Sequence, residues 1–205
     1  DEDEEDGGRK KKKEKTVLIV VPSSLQSNWC KELETWGYFA YVQLSNGNHD
    51  TVMRDLTRCP GRWEIIVLSY ERMRSLMSDK ELAIKDPRFK EHKWLGVIFD
   101  EAHRLKNPKA QVTQAARAIK AKRRIALTGT PMQNKLEELH CLMETMNHGV
   151  LGTAEDFKQH VADPIKKGGK IDARGDEIRA KNHAAKELRK VLRKIMLKRD
   201  KSSVK

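Results

Sequence analysis

Unbroken apolar runs recur along the chain, and stretches of helical period separate them. Val17-Leu18-Ile19-Val20-Val21 is β-branched at four of its five positions and closed by Pro22, which predicts a strand buried on both faces. Tyr41-Val42-Gln43-Leu44, Ile65-Ile66-Val67-Leu68, Leu95 to Phe99 and Ile125-Ala126-Leu127 predict four more strands, each ending in polar or turn-forming residues. After the first run, Ser23 and Gln26 have capping-box spacing, and Leu25, Trp29, Leu33 and Trp36 form one helical stripe that Gly37 stops. Further helices are expected over Asp50 to Arg58, over Glu71 to Met77, around Val112, Ala115, Ala116 and Ile119, and after Asn134, where Glu137 is placed to complete a cap. Strand and helix in alternation imply βαβ units and a parallel sheet, whose ligands sit beyond the carboxyl ends of the strands.

The pattern changes after Met146. No β-branched run follows, Gly168-Gly169 reads as a loop between helices, and Lys181 to Arg199 predicts an amphipathic helix with Leu188, Val191, Leu192 and Ile195 on one face. Residues 147–205 are therefore expected to form a basic helical appendage to an α/β domain over 16–146. Residues 1–15 are an acidic block, two glycines and a basic run, which cannot bury apolar surface and predict a disordered segment. A solvated linker is the plain reading of that segment, with a nuclear-import signal over Arg9 to Lys13 as the alternative.

Charge narrows the partner. The 205 residues carry 42 Lys and Arg against 30 Asp and Glu, a net +12, which favours a polyanion. From Lys158 onward there are 16 basic and 6 acidic residues, so most of the excess lies at that end. Cys30, Cys59 and Cys141 are scattered, with neither a disulfide framework nor metal-ligand spacing, as suits a reducing compartment. No stretch approaches 18 consecutive apolar residues, so no membrane partner is expected.

The chemistry concentrates where two predicted strands end. Val97-Ile98-Phe99 delivers Asp100-Glu101-Ala102-His103, and an acid pair at the end of a buried strand is how many nucleotide triphosphatases hold Mg²⁺ and aim a water at a γ-phosphate. Ile125-Ala126-Leu127 delivers Thr128-Gly129-Thr130-Pro131-Met132-Gln133-Asn134. Pro22-Ser23-Ser24 offers hydroxyls and amides at a helix start, which suits a phosphate, although an ordinary cap explains it equally well.

Together these motifs resemble the SWI/SNF-type family of helicase-like, DNA-translocating ATPases. The resemblance is carried by VLIVVPSSLQSNWCKELETW (17–36), EIIVLSYERMR (64–74), VIFDEAHRLKNPKAQVTQAARAIKAKRRIALTGTPMQN (97–134) and MLKRDKSSV (196–204), which occur in the family's order. Asp-Glu-Ala-His followed by Arg104-Leu105-Lys106-Asn107, with Gly-Thr-Pro-x-Gln-Asn later, disfavours an RNA helicase. The resemblance implies a RecA-like, P-loop NTPase-type first lobe with a C-terminal helical protrusion, and ATP and Mg²⁺ as cofactors. It implies that Asp100 holds Mg²⁺ through water, that Glu101 activates the attacking water, and that His103 senses the γ-phosphate and reports to Thr128, Gly129 and Thr130. It also implies a duplex-DNA backbone track over Pro22, Ser23, Ser24, Ser69, Tyr70, Lys106 and Asn107, possible chromatin association, and a nuclear location. The segment Val150 to Phe157 with Asp163-Pro164-Ile165 resembles members associated with recombination and transcription-coupled repair.

No G-x-x-x-x-G-K-[ST] loop occurs, and Gly168-Gly169-Lys170 is no substitute because Ile171 follows it. The sequence is thus expected to be an internal piece of a longer motor, lacking the phosphate loop and the second lobe, and inactive alone. The alternative is a non-catalytic DNA- or partner-binding module on the same fold.

Overall fold

The computed structural model describes residues 16–78, 86–131 and 135–199. The described residues fall into two compact units, one within 1–101 and 114–127, the other within 102–113 and 128–205.

The first unit is built on five parallel strands: β1 (Val17–Val21), β2 (Tyr41–Gln43), β3 (Ile65–Ser69), β4 (Gly96–Phe99) and β5 (Arg124–Ala126). Their order across the sheet is β2-β3-β1-β4-β5, with Val17 in register with Ile65 on one side and Gly96 on the other. The central position of β1 explains its continuous apolar run. Ile19 and Val21 lie on one face with Val67, against helix α1 (Gln26–Trp36), whose Leu33, Trp29 and Leu25 pack there. Leu18, Val20, Ile66, Leu68, Val97 and Phe99, of the opposite parity, are also fully buried.

Of the remaining helices of this unit, α2 (His49–Arg58), α3 (Tyr70–Met77) and α5 (Gln111–Ala118), which runs on into it, follow the sequence pattern closely, and the short α4 (Pro87–Glu91) is one that the pattern did not predict. All four return the chain between strands. Arg124 at the start of β5 sends its guanidinium to the carbonyls of Ala116, Arg117 and Ile119, satisfying acceptors that the end of α5 leaves open.

Some sequence expectations are corrected. The Ser23/Gln26 capping box does not form: Ser23–Leu25 is a 3₁₀ turn, and Leu25 precedes α1 with no side-chain cap. Trp36 leaves the apolar stripe at 79% exposure and donates instead to Glu32 one turn earlier. The fifth strand starts at Arg124, and Ile125 and Leu127 are exposed, because β5 pairs with β4 alone among the described residues and so is an edge.

The second unit is helical. It contains a 3₁₀ turn (Ala102–Leu105), α6 (Leu136–Met146), α7 (Ala154–Phe157), a π-type turn (Lys158–Ala162), α8 (Asp163–Lys167) and α9 (Gly175–Ile195). α6 starts after Lys135 with no side-chain cap, so Glu137 does not complete one. α9 begins earlier and ends earlier than the periodicity suggested, because Glu177 accepts from the Arg174 amide and fixes the start there. A Cβ on Gly168 would collide with the Glu177 carbonyl, so a glycine is required where α8 meets α9. Among the described residues no helix is long and apolar enough to cross a membrane.

Candidate functional site

The strand end at Asp100 is shaped by alternation along β4. Ile98 packs with the α1 face of the sheet and Phe99 stacks on Tyr70 at 6.3 Å, so the next residue returns to the α1 side. There the Trp29 indole Nε1–H donates to Asp100 Oδ2 at 2.8 Å. The Glu101 amide donates to Asp100 Oδ1 at 2.9 Å, and the Asp100 amide donates to the Val20 carbonyl, extending the β1–β4 ladder by one residue. From the other side the Tyr70 hydroxyl donates to the Asp100 carbonyl at 2.7 Å. Asp100 is thus held at its side chain and at its main chain.

Glu101 has φ of 49°, the only positive value on a non-glycine among the described residues. Left-handed backbone at such a residue costs about 1–3 kcal/mol and persists only where surrounding bonds over-determine it. The Asp100–Glu101 hydrogen bond is one such restraint.

The donor set fits a hydrated divalent cation. Each Asp100 oxygen uses one lone pair on a neutral N–H and keeps another, and neither bond cancels the carboxylate charge. A half-buried anion with free lone pairs suits a metal held through its water.

The other predicted residues of this unit divide by exposure. Ser23 and Ser24 are exposed and Pro22 is half-buried. Ser69 is buried, its Oγ accepting from the Arg72 amide as the cap of α3. Tyr70 is 1% exposed with its hydroxyl turned inward, so it offers almost no surface to an external phosphate.

In the helical unit, His103 Nδ1 lies 3.5 Å from Thr128 Oγ1, which in turn accepts from the Thr130 amide. Gly129 and Thr130 are exposed. Lys106 Nζ is 3.9 Å from Glu138 Oε1, and exposed Asn107 accepts from the Lys109 amide. Gln133 and Asn134 lie outside the described residues.

Sequence reasoning missed two features. Trp29 was read only as a stripe residue, although an indole both packs and donates. The second is a polar cluster around the buried Asp86 carboxylate. His49 Nε2 meets Asp86 Oδ2 at 2.7 Å, and Arg88 reaches Asp86 at 2.7 Å and Asp50 at 3.0 Å. Burial pushes the Asp86 carboxyl up, but the Arg88 bonds and His49 outweigh it and hold it below the ordinary range. Hydrogen bonds to Asp86 and Asp50 raise the Arg88 guanidinium in turn. His49, Asp50 and Asp86 could geometrically gather round a cation, yet Arg88 already supplies one. The Asp86-Pro87 pair, a cap followed by proline, was the only sequence signal for this arrangement.

A family model described as SNF2-related domain matches residues 5–205. The chain is 36% identical to the mouse (Mus musculus) DNA excision repair protein ERCC-6-like 2 over 185 residues, 90% of this chain and 11% of that protein. It is 32% identical to the chicken (Gallus gallus) DNA repair and recombination protein RAD54-like over 191 residues, covering 87% of this chain and 24% of that one. The Sulfolobus solfataricus SWI2/SNF2 ATPase core in complex with dsDNA superposes with a TM-score of 0.69 at 29% identity, over 92% of this chain and 35% of that one. The chain therefore spans between 11% and 24% of the length of these two repair relatives.

Proposed function

We propose, because this chain belongs to the SNF2-related family of SWI/SNF-type ATPases, that its RecA-like sheet and helical region serve as the first lobe of a DNA-stimulated ATPase that translocates on duplex DNA. The observation that carries this reading is Asp100, a strand-end carboxylate fixed by neutral donors beside a left-handed Glu101. Mg²⁺, when bound, draws charge off the transferring phosphoryl group. Asp100 holds its water shell, and Glu101 orients the attacking water and takes its proton. His103 reports the γ-phosphate to Thr128, Gly129 and Thr130, supported by the 3.5 Å approach of His103 to Thr128. Exposed Ser23, Ser24 and Asn107, with Lys106 and half-buried Pro22, take the DNA backbone without reading sequence, and the buried Ser69-Tyr70 turn supports that track. The solved relative is an ATPase core in complex with dsDNA, which supports this choice of partner.

Residues 1–205 contain no G-x-x-x-x-G-K-[ST] loop, so we assign hydrolysis to the longer protein with its phosphate loop and second lobe, and expect residues 1–205 alone to be inactive. With relatives named for DNA repair and recombination, we assign the longer protein a nuclear role in DNA repair.

The test is Glu101→Gln in the full-length protein. DNA-stimulated ATP hydrolysis falls by about 10²–10⁴-fold, the usual contribution of a general base, while binding of nucleotide and duplex is kept. Undiminished turnover would remove Glu101 from the mechanism, and loss of duplex binding along with it would point to a folding defect.

A further inference from the structure

We propose that Trp29 is a positioning residue, the link through which duplex contact at the Pro22–Ser24 loop reaches the carboxylate of Asp100; this rests on the function proposed above. The loop runs through one 3₁₀ turn straight into α1, and Trp29 sits in the first turn of that helix. From Ser24 to Trp29 is about 7.5 Å of helix rise, with no flexible residue between. The half-buried indole packs against the cluster of Ile19, Val21, Leu33 and Val67 and is tied at its N–H, so it moves with α1. Its N–H ends 2.8 Å from Asp100 Oδ2.

A phosphate that draws on Ser23 and Ser24 therefore shifts the donor that orients Asp100. Hydrogen bonds weaken steeply as their geometry degrades, so a small movement of α1 is felt at the carboxylate. Tyr70 makes the companion tie. It follows Ser69, packs on the opposite face of β4 through Phe99, and donates to the Asp100 carbonyl. The Tyr70 tie fixes the backbone, and the Trp29 tie fixes the side chain. Each of the two segments assigned to DNA in this unit thus owns one bond to the residue assigned to Mg²⁺.

The test reads the indole directly. In ¹⁵N-labelled chain, the Trp29 Nε1–H resonance, assigned by Trp→Phe replacement, is expected downfield and protected from exchange, and to move upfield in Asp100→Asn. Titration with a short duplex at low salt should shift it along the same binding curve as the Ser23 and Ser24 amides, while the indole of Trp94, buried elsewhere in the unit, stays in place. If the serine amides respond and the Trp29 indole does not, the link is overturned and the DNA loop survives. If no duplex binds, the translocase reading fails and this inference with it.

In the full-length protein, Trp29→Phe keeps the ring's packing and removes its donor. It should raise the Mg²⁺ concentration for half-maximal DNA-stimulated hydrolysis about tenfold, the lower end for a hydrogen bond to a charged group, without weakening duplex affinity. Unchanged Mg²⁺ dependence would make Trp29 a packing residue only. Where Trp29→Phe does not fold, the Asp100→Asn and duplex arms on otherwise native chain decide the matter.

Discussion

Asp86 and Asp100 lie in the same unit, each at an element end and each anchored by an aromatic or imidazole N–H, yet they are satisfied in opposite ways. Asp86 is met by the charged Arg88 guanidinium on both oxygens and by the His49 ring on one. Asp100 receives a neutral indole and a neutral amide. A buried carboxylate neutralised by its own protein is committed to the fold, whereas one held in place but left anionic is ready for a cation from outside. By clustering of titratable groups alone, the Asp86 region would be chosen as the site. The character of the donors is what favours Asp100 in the function proposed above.

The largest effect that separates the two is on stability. Asp86→Ala leaves the buried His49 ring without its acceptor and half-exposed Arg88 with Asp50 alone, and leaving a buried polar group unsatisfied costs about 1–3 kcal/mol. Urea denaturation of the purified chain should show this as a large fall in midpoint at unchanged slope. A loss below about 1 kcal/mol would mean that the cluster is not structural.

Acid sharpens the same contrast. The folded-state carboxyl of Asp86 is held below the ordinary value of about 3.9, so its contribution is fully present above that value and is lost as pH falls through the lower, folded one. Denaturation midpoints between pH 5 and pH 2.5 should therefore drop less steeply in Asp86→Asn than in the native chain. Parallel curves would show that Asp86 contributes nothing to acid sensitivity.

The smallest effect lies at the cluster's rim. The Asp50 side chain is 82% exposed, so its bond to Arg88 is screened and Asp50→Asn should cost no more than about 1 kcal/mol. A cost near that of Asp86→Ala would mean that the whole cluster acts as one unit rather than through its buried half.

The strands were legible because β1, β3 and β4 are covered on both faces, which forces continuous apolar runs that nothing but a buried strand or helix core explains. Edges were harder. Exposed Ile125 looks like a core residue until the neighbouring strands are known. Helix starts misled for a related reason: the Ser23/Gln26 spacing matched a cap, but the 3₁₀ turn supplied its own Leu25 to Pro22 bond and removed the need for one. At the candidate site, the acid pair could be read from sequence because a strand and its loop are contiguous. Its supports could not, since Trp29 lies 71 residues away and Tyr70 lies 30. The His49–Asp86 contact, 37 residues apart, was hidden by the same non-locality. Periodicity shows which face a side chain takes and says nothing of which polar atom waits there.

The division between a structural and a metal-holding carboxylate is tested most directly by thermal denaturation of the full-length protein carrying Asp86→Asn or Asp100→Asn, each with and without Mg²⁺ and ATP. The account predicts that Asp86→Asn melts well below the native protein yet keeps the upward shift given by Mg²⁺ and ATP, whereas Asp100→Asn melts close to the native protein and loses the Mg²⁺-dependent part of that shift. The reverse assignment, with Asp100→Asn unfolding early and Asp86→Asn losing the Mg²⁺ response, would contradict it.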